Sequence, residues 1–123
     1  MPSSAKTQFR LLRFGSDVCG PCLGMDKAKT LEKFAAAHPE VTVLRLCLAD
    51  KKGVPYQDAN EWADAYGIMA TPTLIIESED GRELVRLESA VTVKDLDKAL
   101  QRAQERLKRG PLALDTLKPE EAR

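Results

Sequence analysis

Cys19-Gly20-Pro21-Cys22 falls between an apolar run and a segment of helical spacing. That junction constrains the fold more than any other stretch of the chain. Residues 9–14, Phe-Arg-Leu-Leu-Arg-Phe, read as a strand, and Gly15-Ser16-Asp17 interrupts it. Beyond the cysteines, Leu23, Met25, Ala28, Leu31, Phe34 and Ala35 follow the three-and-four spacing of one helix with a buried face. His38-Pro39 closes that helix, since proline disfavours a helical residue before it. Pro21 pre-sets the backbone of the first helical turn, and Gly20 is expected to admit a tight bend before it.

The remaining elements follow from the same reasoning. Residues 41–48, Val-Thr-Val-Leu-Arg-Leu-Cys-Leu, form a second strand with β-branched residues at its start. Residues 50–55 read as a loop and 58–66 as a helix, with Gly67 where a left-handed cap is wanted. Thr73-Leu74-Ile75-Ile76 is a third strand, joined through the hairpin signal Asp80-Gly81 to a fourth at 83–87. Thr92 and Asp95 make a capping box, after which Val93, Leu96, Leu100, Ala103 and Leu107 mark a long amphipathic helix. The predicted order is β-α-β-α-β-β-α. The first two strands, joined through a helix, should be parallel, and the hairpin adds an antiparallel pair. The expectation is an α/β domain: a mixed four-stranded sheet flanked by helices.

At 123 residues the chain suits one domain. Residues 1–108 are expected to form it, and 109–123, charged and proline-containing but with Leu112, Leu114 and Leu117, to form a tail. Lysine plus arginine equals aspartate plus glutamate, 19 each, which gives no electrostatic case for nucleic acid or an anionic membrane as partner. No run approaches the ~18 apolar residues of a membrane span. The first ten residues lack the apolar stretch of a secretory signal, so the expected location is the cytoplasm.

In a reducing compartment, three cysteines of which two are closely spaced point to catalysis or metal binding rather than to a structural disulfide. A zinc site would need Cys47 and His38 to join the pair, and no second paired motif is present. A strand-to-helix junction suits a reactive thiol. The first helical N–H groups lack internal partners and the helix dipole adds partial positive charge, both favouring the attacking thiolate. Cys19, at the helix start, should face solvent and attack. Cys22, inside the helix, should be buried and resolve the mixed disulfide. Cys47 reads as a packed free thiol, Trp62 and Tyr66 as residues packing on the sheet, and His38 as a solvated helix end.

Taken together, Cys19-Gly20-Pro21-Cys22, the segment Tyr66-Gly67-Ile68-Met69-Ala70-Thr71-Pro72-Thr73 and the Asp80-Gly81 hairpin resemble the thioredoxin family over residues 9–104. The resemblance implies a thioredoxin-like fold, a cis Pro72 beside the cysteines, and backbone pairing of a substrate segment at Thr71. It implies an apolar contact surface from Val18, Leu48, Ala70 and Ala90. Four departures stand out. Val18 replaces the usual tryptophan, Arg13 the usual buried acid, and Arg45 the lysine that often accompanies it, while the family's first strand and helix have no counterpart before residue 9.

Arg13 and Asp26 are therefore the candidates for tuning the thiols. The expected placement of Arg13 is a stem along apolar surface with its head in water. The alternative turns its charge toward the cysteines. The resemblance implies a thiol–disulfide oxidoreductase that reduces protein disulfides, with a separate reductase to regenerate it. No cofactor is expected, because the cysteines themselves carry the electrons, and the expected state is a monomer without metal. The alternatives are a binding module of the same fold with little turnover, and an oxidase or isomerase.

Overall fold

The computed structural model describes residues 8–109. Along the chain run β1 (Phe9–Gly15), α1 (Gly20–Lys27), α2 (Thr30–Ala37), β2 (Val41–Cys47), α3 (Gln57–Ala65), β3 (Thr73–Ser78), β4 (Glu83–Leu87) and α4 (Val93–Lys108). The four strands form one sheet in the order β2-β1-β3-β4. β1 runs parallel to β2, from Phe9 opposite Val41 to Gly15 opposite Cys47, and antiparallel to β3, from Phe9 opposite Ser78 to Phe14 opposite Thr73. β3 and β4 make the expected hairpin, with Gly81 at φ 88° supplying the left-handed turn residue.

Alternation along β1 divides the core in two, because successive strand residues point to opposite faces. Phe9 and Leu11 meet Met25, Leu31, Phe34, Leu96 and Leu100 on the side of α1, α2 and α4. Leu12 and Phe14 meet Ile75 and Ala63 on the side of α3. The Thr92–Asp95 capping box is present and starts α4, which buries Leu96, Ala99, Leu100 and Ala103. Leu107, the last apolar position of that helix, is 38% exposed. Of the expected tail, 109–123, Arg109 forms the C-cap of α4, and the rest lies outside the described residues.

Three expectations about the helices and their ends need correction. The helix after the cysteines is two helices, separated at Lys29, whose φ of 55° is left-handed. Met25 from α1 and Leu31 and Phe34 from α2 all enter the same core cluster, so the apolar spacing runs through the break and conceals it. His38 is not a solvated terminus: its Nε2 lies 2.7 Å from Asp97 Oδ1 and its ring packs on Phe34. Trp62 does not pack on the sheet. It stacks on Tyr66 and remains 45% exposed, whereas Tyr66 itself packs on Phe14.

Candidate active site

The parallel pairing of β1 with β2 brings the ends of both strands to one edge of the molecule, where α1 begins. Leu48 N–H donates to the Gly15 carbonyl (2.7 Å) and Asp17 N–H to the Ala49 carbonyl (3.0 Å). Val18 N–H donates to the Ser16 hydroxyl at 3.3 Å. The short connection is thus fixed before the helix starts. Cys19 is the N-cap of α1, in extended conformation, and its Sγ accepts the Cys22 N–H at 3.2 Å. A sulfur there stands among the unpaired N–H groups and partial positive charge of the helix start.

Cys19 and Cys22 are joined as a disulfide with their Cα atoms 5.2 Å apart. Cys22 is fully buried while Cys19 is half-buried. Pro21 lies in the first turn, as expected, but Gly20 does not form a bend before the helix. It is the first helical residue, has no left-handed φ, and a side chain there would meet nothing within 4 Å.

Arg13 does not reach water. Its side chain is 5% exposed, and its Nη1 donates to Asp26 Oδ1 at 3.0 Å, on a carboxylate that is itself 30% exposed. β1 is an inner strand, and its end is covered by α1, so the stem has no route to the surface. Gly15 is what lets the guanidinium approach the cysteines. A Cβ there would stand 3.0 Å from Arg13 Nε, from Arg13 Cζ and from Cys22 Sγ. The arginine and the sulfur are therefore separated by no more than twice that distance. Gly15 has no left-handed φ, so space and not backbone freedom is what requires glycine here. Among the described residues, Arg13 Nε is the buried side-chain nitrogen or oxygen that has no hydrogen-bond partner.

Arg45, opposite Arg13 in β2, donates to Glu32 at 2.8 Å and stands 3.7 Å from the same Asp26 oxygen. Glu32 is held below the usual carboxylate range, first by a backbone hydrogen bond and then by Arg45. Cys47 is half-buried and its thiol faces the Ala49 carbonyl at 3.1 Å. Among the described residues, no group of three or more His, Cys, Asp or Glu side chains is arranged to hold a metal ion. No helix there is long and apolar enough to cross a membrane.

The Thr71–Pro72 peptide bond is cis. Since Phe14 opposes Thr73, Pro72 falls beside Gly15, at the same sheet end as the cysteines. The residues 18, 69 and 70 expose apolar surface, Val18 at 58% and Met69 at 88%. Ala90 lies with Pro21 and Gly24 along an open groove beside α1. Leu48, by contrast, packs toward the α3-side core. Met69 escaped the sequence reading, although an apolar residue just ahead of Ala70-Thr71-Pro72 was the available signal.

A cysteine pair capping a helix at the end of a parallel strand pair, next to a cis-proline, is one arrangement. The profile of the thioredoxin-like domain matches residues 3–104. The chain belongs to that family. No curated protein sequence matches it significantly. Among solved structures it is similar to spinach chloroplast thioredoxin F, long form, at 27% identity and a TM-score of 0.64, over 82% of this chain and 74% of that one. Fasciola hepatica thioredoxin is 26% identical with a TM-score of 0.59, over 80% of this chain and 84% of that one. Mitochondrial thioredoxin 3 from Saccharomyces cerevisiae, in its oxidized form, is 20% identical with a TM-score of 0.60 and shares the fold over 79% and 80% of the two chains. At family level, a thioredoxin-like domain with such a pair belongs among thiol–disulfide oxidoreductases. This thioredoxin-like domain carries a buried arginine and an adjoining glycine under its cysteines.

Proposed function

We propose that this thioredoxin-like domain is an enzyme that reduces disulfides of protein substrates through a reversible Cys19–Cys22 dithiol/disulfide. The observation that carries the reading is the asymmetry of the pair: Cys19 is partly accessible at the helix cap and Cys22 is fully buried behind it. The Cys19 thiolate attacks a substrate disulfide, and one substrate sulfur leaves as a thiolate. Cys22 then attacks Cys19, closing the Cys19–Cys22 bond and releasing the second substrate thiolate. The substrate gains two electrons and the cysteine pair loses two, so a separate disulfide reductase must restore the dithiol.

Substrate contact is assigned to Val18, Ala70, Thr71 and Pro72, with Met69 added by its exposure. The Thr71 backbone would accept a substrate segment as an added strand, the mode in which main-chain hydrogen bonds give affinity and side-chain pockets give selectivity. The direction of reduction fits a cytoplasmic monomer.

Cys22→Ser is the test, incubated with an unfolded disulfide-bonded protein and analysed by non-reducing gel and mass spectrometry. A Cys19-linked adduct should accumulate, because the resolving thiol is gone, and Cys19→Ser should form none. Turnover retained by Cys19→Ser would contradict the reading. Biological activity retained without either thiol would favour a binding module instead.

A further inference from the structure

A buried guanidinium with an unpartnered Nε–H, set against a neutral disulfide, is poorly matched to the oxidised protein. Hydrogen-bond donors left without acceptors in a low-dielectric interior are unfavourable, and the same environment strengthens any charge pairing that becomes available. Reduction changes what stands beside Arg13. The Cys22 sulfur, closed in a disulfide, is released and becomes an ionisable thiol, whose thiolate is both a counter-ion and an acceptor.

Resting on the redox reading above, we propose that Arg13 is a positioning residue that holds the Cys22 sulfur as a thiolate in the reduced protein. Cys22 is then ready to attack without first passing its proton to a buried base. In the mixed disulfide, the Cys22 thiolate attacks Cys19 Sγ, and the Cys19–Cys22 bond forms. The bond from Cys19 to the substrate sulfur breaks, its electron pair leaves with that sulfur, and water supplies the proton the product takes up. Because the arginine stabilises only the reduced form, it also raises the reduction potential of the pair.

The titratable groups around Cys22 come from four elements. β1 contributes Arg13. α1 contributes Asp26, one turn beyond Cys22, which accepts from Arg13 Nη1. β2 contributes Arg45, shared between Asp26 and Glu32 of α2, and Cys47, opposite Gly15. The segment 70–73 beside the pair, Ala-Thr-Pro-Thr, adds no titratable side chain. Asp26 therefore partly offsets Arg13, and the two should act on the sulfur with opposite sign.

That opposition supplies the test. The reduction potential is measured for wild type, Arg13→Met and Asp26→Asn by equilibration with glutathione buffers and alkylation mass spectrometry. Cys22 ionisation is followed by 13Cβ shifts of labelled cysteine against pH. Arg13→Met should lower the equilibrium constant for reduction by about tenfold, or ~30 mV for this two-electron couple, and move Cys22 ionisation to higher pH. Asp26→Asn keeps an oxygen acceptor for Nη1 but removes the negative charge, so it should move both quantities the other way by several-fold. Loss of packing alone would not displace the two variants in opposite directions.

Variants indistinguishable from wild type, or displaced in the same direction, would overturn the proposal. If Arg13→Met does not fold, an unchanged Asp26→Asn is enough to overturn it. A wild type that forms no Cys19–Cys22 disulfide would instead defeat the redox reading itself.

Discussion

β1 carries two arginines three residues apart, on opposite faces of the sheet, and each meets a carboxylate in a different way. On the α3 side, Arg10 is one-third exposed and its partner Glu77 is 1% exposed. Glu77 is fully served: Arg10 Nε donates to one carboxylate oxygen and the Tyr66 hydroxyl to the other, both at 2.7 Å. On the α1 side the burial is reversed. Arg13 is the enclosed ion, Asp26 is the one in contact with water, and Nε has no partner. A buried ion whose bonds are complete ties secondary elements together. One whose bonds are incomplete, beside a sulfur that changes charge, is coupled to that change. The two pairs should therefore separate cleanly into one that governs stability and one that governs redox chemistry.

The largest stability effect is expected at Arg10. Arg10→Met strands the Glu77 carboxylate inside the sheet and should cost about 3 kcal/mol, at the low end for breaking a buried pair because the arginine is partly solvated. Urea denaturation would show it, and the reduction potential should stay at the wild-type value. A shift in potential comparable to that of Arg13→Met would end the contrast between the two pairs.

Tyr66→Phe comes next. It removes one of the bonds to Glu77 and should cost about 1–2 kcal/mol. Burial, followed by the hydrogen bond to Glu77, pushes the Tyr66 phenol from 10.0 up to about 12. Because the folded value lies above the ordinary one, this stabilisation is complete below about pH 10 and is lost as the pH rises through about 12. Wild type should accordingly lose its advantage over Tyr66→Phe across that window, as read by paired denaturation curves. A constant gap between the two proteins would show that the phenol proton is not coupled to folding.

The smallest stability effect belongs to Arg13→Met. The released Asp26 carboxylate is 30% exposed and rehydrates, and an apolar side chain fills the enclosed stem. A change within about 1 kcal/mol is expected, since replacing a buried ion by an apolar residue is often near neutral. A loss as large as that of Arg10→Met would mean that the α1-side pair is structural as well.

What the sequence disclosed follows the range of its interactions. The strands, the Asp80-Gly81 hairpin and the Thr92–Asp95 cap are local patterns, and each was readable from neighbouring residues. The cysteine pair at a helix start was readable for the same reason. The break at Lys29 was not, because a lysine carries no left-handed signal and the apolar phase survives the turn. Nor were the pairings of Glu77 with Arg10, 67 residues away, or of His38 with Asp97, 59 residues away. No spacing rule encodes a partner set by sheet order.

Arg13 shows the same limit within the site. A long cationic side chain ordinarily reaches water, but this one lies on an inner strand under α1, next to a glycine whose missing side chain leaves room for the guanidinium. The cis-proline was legible only through family resemblance. Proline chemistry alone leaves trans favoured.

The central claim is that Cys19 and Cys22 cycle together as one two-electron couple, apart from Cys47. Equilibrating the protein across thiol/disulfide buffers, alkylating, and mapping each cysteine by mass spectrometry tests it directly. One transition is expected, in which Cys19 and Cys22 lose alkylation in step while Cys47 stays modified throughout. Its midpoint should lie on the reducing side, between about −200 mV and the −270 mV typical of thioredoxin. Cysteines that remain independently alkylated in every buffer, or a disulfide that recruits Cys47, would contradict it.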